Sequence, residues 1–427
     1  MALTGPGLRD QVRGALDAVG RDVALWHVPG RVELLGKHTD YAGGRSLLAA
    51  LERGLVIGVA PRTDRTVTFL DTSSRARAAF PLDPQLVPLT GRWAGYPMTV
   101  ARRLARNFPE ARRGADVALA SDLPSAAGMS SSSALIVATF LALADVNELQ
   151  ATDIWRQHLA TPESLAEYLG CVENGQSFGP LSGDRGVGTF GGSQDHTAIL
   201  CCRAGRVSRY SFAPVTFEGA VRWPEGMALV IAVSGVRSRK SGPEREAYNR
   251  LSMSTRLILD RWRQASGSQA PTLAAAVAET GASAAIRELL ERAAEPGFPE
   301  GFLAGRFRQF IAESVEIIPA AAAALAQGDL AEFGRQVDRS QLEAEAGLGN
   351  QVPETIYLAH QARALGAHAA SAFGAGFGGS VWAMMDADAC ERFSGEWMDG
   401  YRRKFPTAAR RAQCFRSELG PAARKIS

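Results

Sequence analysis

The pattern of apolar and polar positions along the chain predicts strands and helices interleaved from beginning to end. Short apolar runs predict strands at 23–27, 32–35, 55–60, 66–69, 116–120, 197–202, 207–212 and 380–385. The apolar run 227–233 begins a second set of elements. Apolar residues three and four positions apart, or Ala- and Leu-rich stretches, predict helices at 98–107, 131–146, 162–176, 272–294, 307–327 and 359–370. We expect 380–385 to be the last strand.

The grouping of these elements predicts the fold class. We expect 197–202 and 207–212 to form a hairpin that turns at 203–206. The stretch 214–226 contains two prolines and two glycines, so we interpret it as the connection between two domains. Hairpin-type connections among the helices favour an α+β fold over a regular βαβ array. The predicted domains are residues 1–220 and 221–427.

Composition narrows the functional classes. A chain of 427 residues with 46% hydrophobic and 21% charged residues is typical of a soluble protein with more than one domain. A net charge of +3 argues against nucleic-acid binding. Residues 1–13 carry no signal-peptide pattern, and the longest strongly apolar stretch, 135–144, is too short to span a membrane. Five cysteines without metal-ligand spacing favour a reducing compartment, so we predict a cytoplasmic protein.

Residues 29–44 form the first segment that predicts chemistry. An apolar run ends there in a dense set of donors and acceptors, which are Arg31, Lys37, His38, Asp40 and Tyr41. Glycines within the segment let the backbone turn and approach a ligand closely. Charged groups are seldom collected at the end of an apolar strand, because each loses solvation when it is covered. The segment therefore predicts a site for a polyhydroxylated ligand.

Residues 123–134 form a second candidate loop. Small residues and four consecutive serines open the predicted helix at 131, so several backbone N–H groups face outward together, as in a triphosphate site. A serine hydroxyl can also reach Mg²⁺. The alternative is a simple serine N-cap, for which one serine suffices. No lysine stands at the Walker position, so the loop is not a P-loop.

Residues 374–379 match G-x-G-x-x-G, which is also the dinucleotide fingerprint. A Rossmann fingerprint follows a strand and opens a helix. Here a helical stretch is predicted before the loop and a strand after it, so a nicotinamide dehydrogenase is disfavoured. A purely structural tight turn remains an alternative for Gly378 and Gly379.

The three segments resemble, in order, the motifs of the galactokinases within the GHMP kinase superfamily. The first resembles G-R-V-N-L-I-G-E-H-T-D-Y-N-G-G, with Lys37 in place of the glutamate. The second resembles P-x-G-S-G-L-S-S-S-A-A, with Ala126 for a glycine and Ser133 for an alanine, and the third resembles G-A-x-x-(S/T)-G-A-G-F-G-G. A fourth segment, 191–196, resembles C-G-x-M-D-Q, and Val172-Glu173-Asn174 resembles A-E-N. The resemblance implies a two-domain fold with the active site in the cleft between the domains.

The resemblance also implies roles for individual residues. Asp195 and Arg31 would be catalytic, and Lys37, His38, Asp40, Gly192 and Tyr248 would bind the sugar. ATP would contact Gly128, Met129, Ser130, Ser131, Ser132 and Trp93, and Mg²⁺ would be held by Ser132 and Glu173. Ordinary alternatives stay open: a turn or helix-cap role for Asp195, a surface position for Glu173, a helix-face position for Tyr248 and core packing for Trp93. His196 stands where the motif has glutamine and has no assigned role.

The implied activity is transfer of the γ-phosphoryl group of ATP to the anomeric hydroxyl of an aldose, with galactose first. Galacturonate or arabinose are alternative substrates, and a non-catalytic sugar sensor is an alternative function. ATP, Mg²⁺ and a monosaccharide are the expected partners of a monomer or small homo-oligomer, without nucleic acid or membrane. Lys37 either faces the ligand and favours a negatively charged sugar, or turns outward to a surface carboxylate; the outward position is the slightly favoured prediction.

Overall fold

The computed structural model describes residues 7–17, 20–237, 243–291 and 295–426. The strands in these ranges are β1 (Ala24–Leu35), β2 (Arg45–Pro61), β3 (Thr66–Asp71), β4 (Arg77–Pro81), β5 (Ala115–Ser121), β6 (Arg206–Ser211), β7 (Thr216–Arg222), β8 (Met227–Val233), β9 (Ala369–Phe373), β10 (Ser380–Asp386), β11 (Gln413–Ser417) and β12 (Arg424–Lys425).

The helices in the same ranges are α1 (Leu8–Leu16), α2 (Gly95–Asn107), α3 (Ser131–Val146), α4 (Asp153–His158), α5 (Pro162–Asn174), α6 (Gln194–Cys201), α7 (Pro243–Ser266), α8 (Leu273–Ala278), α9 (Ala282–Glu291), α10 (Phe302–Ile311), α11 (Ile318–Gln327), α12 (Leu330–Glu343), α13 (Pro353–Ala364), α14 (Cys390–Lys404) and α15 (Pro406–Ala409). Two π-helical segments, Ala312–Ile317 and Ala344–Leu348, join α10 to α11 and extend α12.

Two sheets organise these elements. The larger has the order β12-β1-β2-β5-β3-β4, and β2 also pairs with β6, which pairs with β7. The smaller has the order β11-β8-β10-β9. The chain enters the smaller sheet at Met227 and returns to the larger one through β12, which pairs antiparallel with β1. The two sheets and the helices packed on them confirm the α+β class, while the division near residue 220 stays a proposal.

Helix α3 is the central helix of the first half. Its sequence is apolar on every side, and a helix of that kind is stable only when it is buried all round. It packs against β1, β2 and α2, and nearly all of its residues are buried. Its N-terminal end opens into the cleft described below, so burial of α3 fixes the position of the serine loop.

The segment 197–202 corrects the sequence prediction. It is not a strand but the greater part of α6, in which the N–H of Thr197 donates to the carbonyl of Ser193 at 2.8 Å. A short apolar run does not distinguish a buried helix from a strand by its period alone. The partner of β6 is therefore β7, and the predicted connection 214–226 contains that strand. One consequence is that Asp195 lies in the first turn of a helix.

Further differences concern the second half. The predicted helix 272–294 is divided into α8 and α9, and its last three residues lie outside the described residues. Residues 369–370 belong to strand β9 rather than to the predicted helix 359–370, and β11 and β12 follow the expected last strand. Loop 374–379 thus joins two antiparallel strands, β9 and β10, which again excludes the strand-to-helix context of a dinucleotide fingerprint.

One helical run, 302–327, is long and apolar enough by length and composition to cross a membrane. It is made of α10, a π-helical segment and α11 in succession, and the sequence predicted its greater part as the helix 307–327. Of its most apolar 18-residue window, 67% is buried inside the protein. Buried core helices pass the same test of length and composition, so the run is weak support for a membrane span.

Candidate active site

A cleft of about 680 Å³ brings the predicted segments together. The first half of the chain contributes Arg31, the serine loop and the segment around Asp195, while the second half contributes Tyr248 and the loop that begins at Gly374. Residues from both halves therefore line one cavity. Its volume is in the range of small-molecule sites.

Arg31 and Asp195 form an ion pair in this cleft. The Nε of Arg31 donates to Oδ1 of Asp195 at 2.8 Å, and a second guanidinium N–H donates to the carbonyl of Gly128. The Arg31 side chain is 4% exposed and lies near the ring of Phe373, 5.8 Å from its centroid. The Asp195 side chain is 17% exposed, so it is open to a ligand while its partner is fixed.

A second group of polar side chains adjoins Asp195. The hydroxyl of Ser133 donates to Oε2 of Glu173 at 2.8 Å and lies 3.3 Å from Oδ2 of Asp195. The Nε2 of His196 lies 3.2 Å from the same Glu173 oxygen. Glu173 is 5% exposed and lines the cleft, so the surface alternative for this residue is wrong. Ser132 lines the cleft as well, but the hydroxyl that donates to Glu173 is that of Ser133.

His38, Asp40 and Tyr248 line one end of the cleft. The Nδ1 of His38 is 3.0 Å from the hydroxyl of Tyr41, its Nε2 is 3.0 Å from the carbonyl of Ala375, and its ring centroid is 5.3 Å from that of Tyr248. Burial raises the pKa of Tyr41 to about 12 and the pKa of Tyr248 well above its usual value. Both phenols are therefore neutral donors at physiological pH.

Gly192 lies against Asp40. The backbone N–H of Gln194 donates to Oδ2 of Asp40 at 3.1 Å, and a Cβ on Gly192 would meet that same carboxylate oxygen. Burial raises the pKa of Asp40. Glycine at 192 therefore allows the Asp195 segment and the sugar-motif segment to pack directly together. The role of Gly192 is this close approach of two backbone segments.

Glu33 also lines the cleft and lies near the C-terminal end of β1. It is 2% exposed, and its Oε2 accepts from the Nε2 of Gln194, whose Oε1 accepts from Ser46 at 2.6 Å. Burial raises the pKa of Glu33 to about 7, and the charges of Arg31 and Lys37 partly offset that effect. The sequence analysis did not name Glu33, although a charged residue inside an apolar strand indicates a buried polar or functional group.

Lys37 occupies neither of the positions predicted for it. It is 1% exposed, so the outward position is wrong, and it is absent from the lining of the cleft. Its Nζ donates to the hydroxyl of Ser340 at 2.9 Å, and that hydroxyl donates to Oε1 of Glu313 at 3.0 Å. Glu313 also accepts from the backbone N–H of Gly36 at 2.7 Å. Lys37 thus points into a buried network behind the motif.

The serine loop has the geometry of an anion site. Ser130 occupies the N-cap position of α3 in a left-handed conformation (φ 57°), and among the described residues its side chain makes no capping hydrogen bond. Gly128 also has positive φ (77°), and a Cβ there would lie 3.2 Å from the carbonyl of Phe373. The simple N-cap alternative therefore does not explain the serines. Gly128, Ser130, Ser131 and Ser132 all line the cleft.

Met129 and Trp93 differ in their relation to the cleft. The Met129 side chain is 1% exposed and packs in the core, and its backbone carbonyl lies 3.4 Å from the N–H of Arg31. Any contact of Met129 with a nucleotide is therefore limited to its backbone. Trp93 lines the cleft and also packs edge-on against Phe69, with ring centroids 6.5 Å apart. Ligand contact and core packing are thus compatible for this ring.

Arg306 is a buried residue near the site that sequence reasoning missed. A guanidinium N–H donates to the carbonyl of His38, and another contact reaches the hydroxyl of Tyr41 at 3.4 Å. Arg306 is fully buried in α10 and therefore ties the second half of the chain to the sugar-motif segment. The residues around Arg306 could not predict this contact, because its partner His38 lies 268 positions away in the sequence.

Three family models match parts of the chain. The galactokinase galactose-binding signature covers residues 17–61, the GHMP kinases N terminal domain covers 95–176, and the GHMP kinases C terminal model covers 321–399. The first contains the segment around Arg31 and Asp40, the second contains the serine loop and Glu173, and the third contains the glycine loop.

Curated relatives and solved structures give the same family. A galactokinase of Chloroflexus aggregans is 30% identical over 386 residues, which are 87% of this chain and 86% of that protein. Human galactokinase is 28% identical over 84% of this chain and 83% of its own length. The crystal structure of Lactococcus lactis galactokinase complexed with galactose superposes with a TM-score of 0.82 and covers 99% of this chain and 100% of that one, at 21% identity.

Proposed function

The chain belongs to the galactokinase family of GHMP kinases, and from that membership we propose that it transfers the γ-phosphoryl group of ATP to the anomeric hydroxyl of galactose. The observation that carries the proposal is the Arg31–Asp195 ion pair, which lies in the cleft between the serine loop and the sugar-motif segment. A sugar kinase needs a proton acceptor, a cation and a phosphate site close together.

Asp195 would act as proton acceptor. The proton of the C1 hydroxyl passes to its carboxylate, the sugar oxygen forms a bond to the γ-phosphorus, and the bond to the β-γ bridging oxygen breaks to release ADP. Arg31 holds Asp195 in place and offsets the negative charge of the transferred group. Most of the catalysis in such a reaction is positioning and charge stabilisation.

The serine loop would hold the triphosphate. Its outward N–H groups lie at the positive end of α3, and the hydroxyls of Ser131 and Ser132 add donors. Trp93 at the cleft wall offers an aromatic surface for the base. These features favour ATP as the phosphoryl donor, which is also the co-substrate that membership of a kinase family requires.

Ser132 and Glu173 fit a magnesium ion. A carboxylate and a hydroxyl are oxygen donors of the kind that Mg²⁺ prefers, and both side chains line the cleft beside the phosphate site. Held there, Mg²⁺ would supply positive charge that offsets the charge of the triphosphate. Ser132 and Glu173 are therefore the residues that we propose hold it.

The position of Lys37 favours galactose over galacturonate. Its ammonium group is directed toward Ser340 and is buried away from the cleft, so it is not placed to attract a sugar carboxylate. The groups that line the sugar end are His38, Asp40 and the neutral phenol of Tyr248. These groups suit a neutral polyhydroxylated sugar, and arabinose is a weaker alternative of the same chemistry.

A panel of aldoses with ATP and Mg²⁺, assayed by ADP release, tests the proposal. We expect turnover with galactose, less with arabinose and the least with galacturonate. Sugar binding without ADP release from any aldose would contradict the kinase activity and support the non-catalytic sensor instead. Faster turnover of galacturonate than of galactose would contradict the assignment of Lys37.

The cellular setting is also a proposal. All five cysteines, Cys171, Cys201, Cys202, Cys390 and Cys414, are free thiols, which suits the reducing cytoplasm. Burial raises the pKa of the Cys171, Cys201, Cys202 and Cys414 thiols, so few thiolates form at neutral pH. A monomer or small homo-oligomer stays our prediction for the assembly.

A further inference from the structure

Two arginines that have no part in the reaction as described so far line the cleft. Arg185 lies in the connecting segment, residues 175–193, which joins α5 to α6, and Arg245 lies in the first turn of α7. Arg185 is exposed and Arg245 is half-buried. Within the described residues neither guanidinium takes part in an ion pair or a hydrogen bond. A positive charge that faces a cleft without a carboxylate partner suits an anionic ligand.

The turn that carries Arg185 is fixed by its neighbours. The Asp184 side chain is 3% exposed, and its Oδ2 accepts from the Nε of Arg102 at 2.8 Å. Its Oδ1 accepts from the backbone N–H of Gly186 at 2.8 Å, so the carboxylate closes the turn around Arg185. The backbone N–H of Asp184 donates to the carbonyl of Gly175 at 2.9 Å. The exposed Arg185 side chain therefore extends from a fixed backbone.

The same turn lies beside the proposed metal and phosphate site. The N–H of Val187 donates to the backbone carbonyl of Glu173 at 2.8 Å. Gly186 has positive φ (54°), and a Cβ there would collide with that carbonyl, so glycine allows the turn to approach the end of α5 closely. Arg245 reaches the same stretch from the second half of the chain, since a Cβ on Gly188 would lie 3.2 Å from its guanidinium. Both arginines thus lie on the wall of the cleft near Glu173.

Helix α7 and the connecting segment are held together without the two arginines. The side-chain amide of Asn249 donates to the carbonyl of Gly188 at 3.1 Å, and its Oδ1 accepts from the N–H of Phe190 at 2.9 Å. Substitution of either arginine therefore removes a charge and leaves these contacts in place.

We propose that Arg185 and Arg245 bind the γ-phosphate of ATP, an inference that rests on the kinase function proposed above. The serine loop supplies neutral N–H and O–H donors, and the N-terminal end of α3 supplies only a partial charge. Each guanidinium adds a full positive charge in a planar fork of donors that matches the oxygens of a phosphate. The two groups stabilise the negative charge of the phosphoryl group during its transfer to the sugar.

The test uses Arg185→Gln, Arg245→Gln and the double variant. We expect each single change to lower kcat/KM for ATP about tenfold or more, because a charged hydrogen bond is lost, and the double change to lower it further. By calorimetry with Mg²⁺, the variants should lose more affinity for a non-hydrolysable ATP analogue than for ADP, which lacks the γ-phosphate. Arg185→Lys should recover part of the loss, since it keeps the charge without the fork.

Arg250→Gln is the matched control. Arg250 is an exposed arginine of the same helix as Arg245, and it lines a separate pocket outside the cleft. This change also removes one positive charge, and it should keep the wild-type kcat/KM and nucleotide affinities. Thermal melts without ligand should be unchanged in all of these variants, because the substituted side chains make no hydrogen bond or ion pair within the described residues.

An unchanged kcat/KM for ATP in the double variant would overturn the proposal. Equal losses of affinity for ADP and for the ATP analogue would also overturn it, because the arginines would then not reach the γ-phosphate. A loss in Arg250→Gln as large as in Arg185→Gln would overturn it by reducing the effect to net charge. Absence of ADP release by the wild type with every aldose would instead count against the proposed function, while the nucleotide titrations would still decide the role of the arginines.

Discussion

At the scale of single residues, the account depends most on Asp195. We expect Asp195→Asn to lower kcat by at least about 100-fold, because the amide keeps the size of the side chain but accepts no proton. The serine loop does not depend on this carboxylate, so ATP affinity should change little. Steady-state kinetics and ATP titration measure the two quantities. Retention of more than about a tenth of the wild-type kcat, a barrier change below ~1.4 kcal/mol, would remove Asp195 from the reaction.

Lys37 gives a second prediction at this scale. Lys37→Glu would bury a third carboxylate in the network that holds Glu33 and Glu313, so the free energy of unfolding should fall by about 3 kcal/mol or more. Changing Glu33→Asn together with Lys37→Glu removes one of the three carboxylates and should recover part of that loss. Chemical denaturation of both variants is the measurement.

The variant Lys37→Glu also tests whether the Lys37 side chain contacts the sugar. Since its ammonium faces Ser340, kcat/KM for galactose and galacturonate should change by equal factors in Lys37→Glu. A selective loss of galacturonate turnover would show that the side chain reaches the ligand after all. Local sequence did not reveal this position, because the partner hydroxyl lies 303 residues further along the chain.

Glu33 makes stability depend on pH. Burial raises its pKa to about 7 from an ordinary value of 4.5, so the folded protein binds this proton more tightly than the unfolded chain does. The stabilisation is complete below about pH 4.5 and is lost as the pH rises through 7. Relative to Glu33→Gln, wild-type stability should fall on the order of 3 kcal/mol over that interval. Urea denaturation at several pH values measures the difference, and parallel curves would exclude a titrating Glu33.

At the scale of elements, a substitution in the serine loop tests whether its serines bind a ligand or cap helix α3. Ser132→Ala should weaken binding of Mg·ATP and leave the melting temperature of the free protein nearly unchanged. Thr161→Ala is the matched control, because Thr161 caps α5 through its side chain and accepts from the N–H of Ser164 at 3.1 Å. That variant should lose about 1 kcal/mol of stability and keep its ATP affinity.

Melts with and without Mg·ATP distinguish the two variants, because a ligand that binds only the folded state raises the melting temperature in proportion to its affinity. If Ser132→Ala behaved like Thr161→Ala, the serines would be structural. The structure favours the ligand role, since Ser130 at the N-cap makes no side-chain capping bond to any described residue.

The sequence predicted an element correctly where the element's own residues carry a clear helical or strand pattern. It failed where the element depends on contacts with distant parts of the chain. Helix α3 was predicted with the bounds it has, because its long apolar sequence is helical throughout. Helix α6 was predicted as a strand, since eight residues are too few to show a helical period. Strand β9 consists mostly of alanine and serine, which carry no strand preference, and it forms only by pairing with β10.

At the scale of the whole molecule, the cleft is made by contacts that no local pattern encodes. Motifs identified Arg31, Asp40, Gly128 and Asp195 as parts of one site, and the structure places all four at one cavity. The supporting residues were not identified. Arg306, Glu313 and Ser340 come from the second half of the chain and reach the sugar-motif segment only through the packing of α10, the π-helical segment 312–317 and α12.

The central claim is phosphoryl transfer to the anomeric oxygen, and blocking that oxygen tests it most directly. ADP release should be followed with ATP, Mg²⁺ and either galactose or methyl galactoside, whose anomeric oxygen carries a methyl group, and the product should be analysed by ³¹P NMR. The account predicts ADP release and a sugar 1-phosphate with galactose, and no turnover with the methyl galactoside. Comparable phosphorylation of both sugars would show that another hydroxyl is the acceptor and would contradict it.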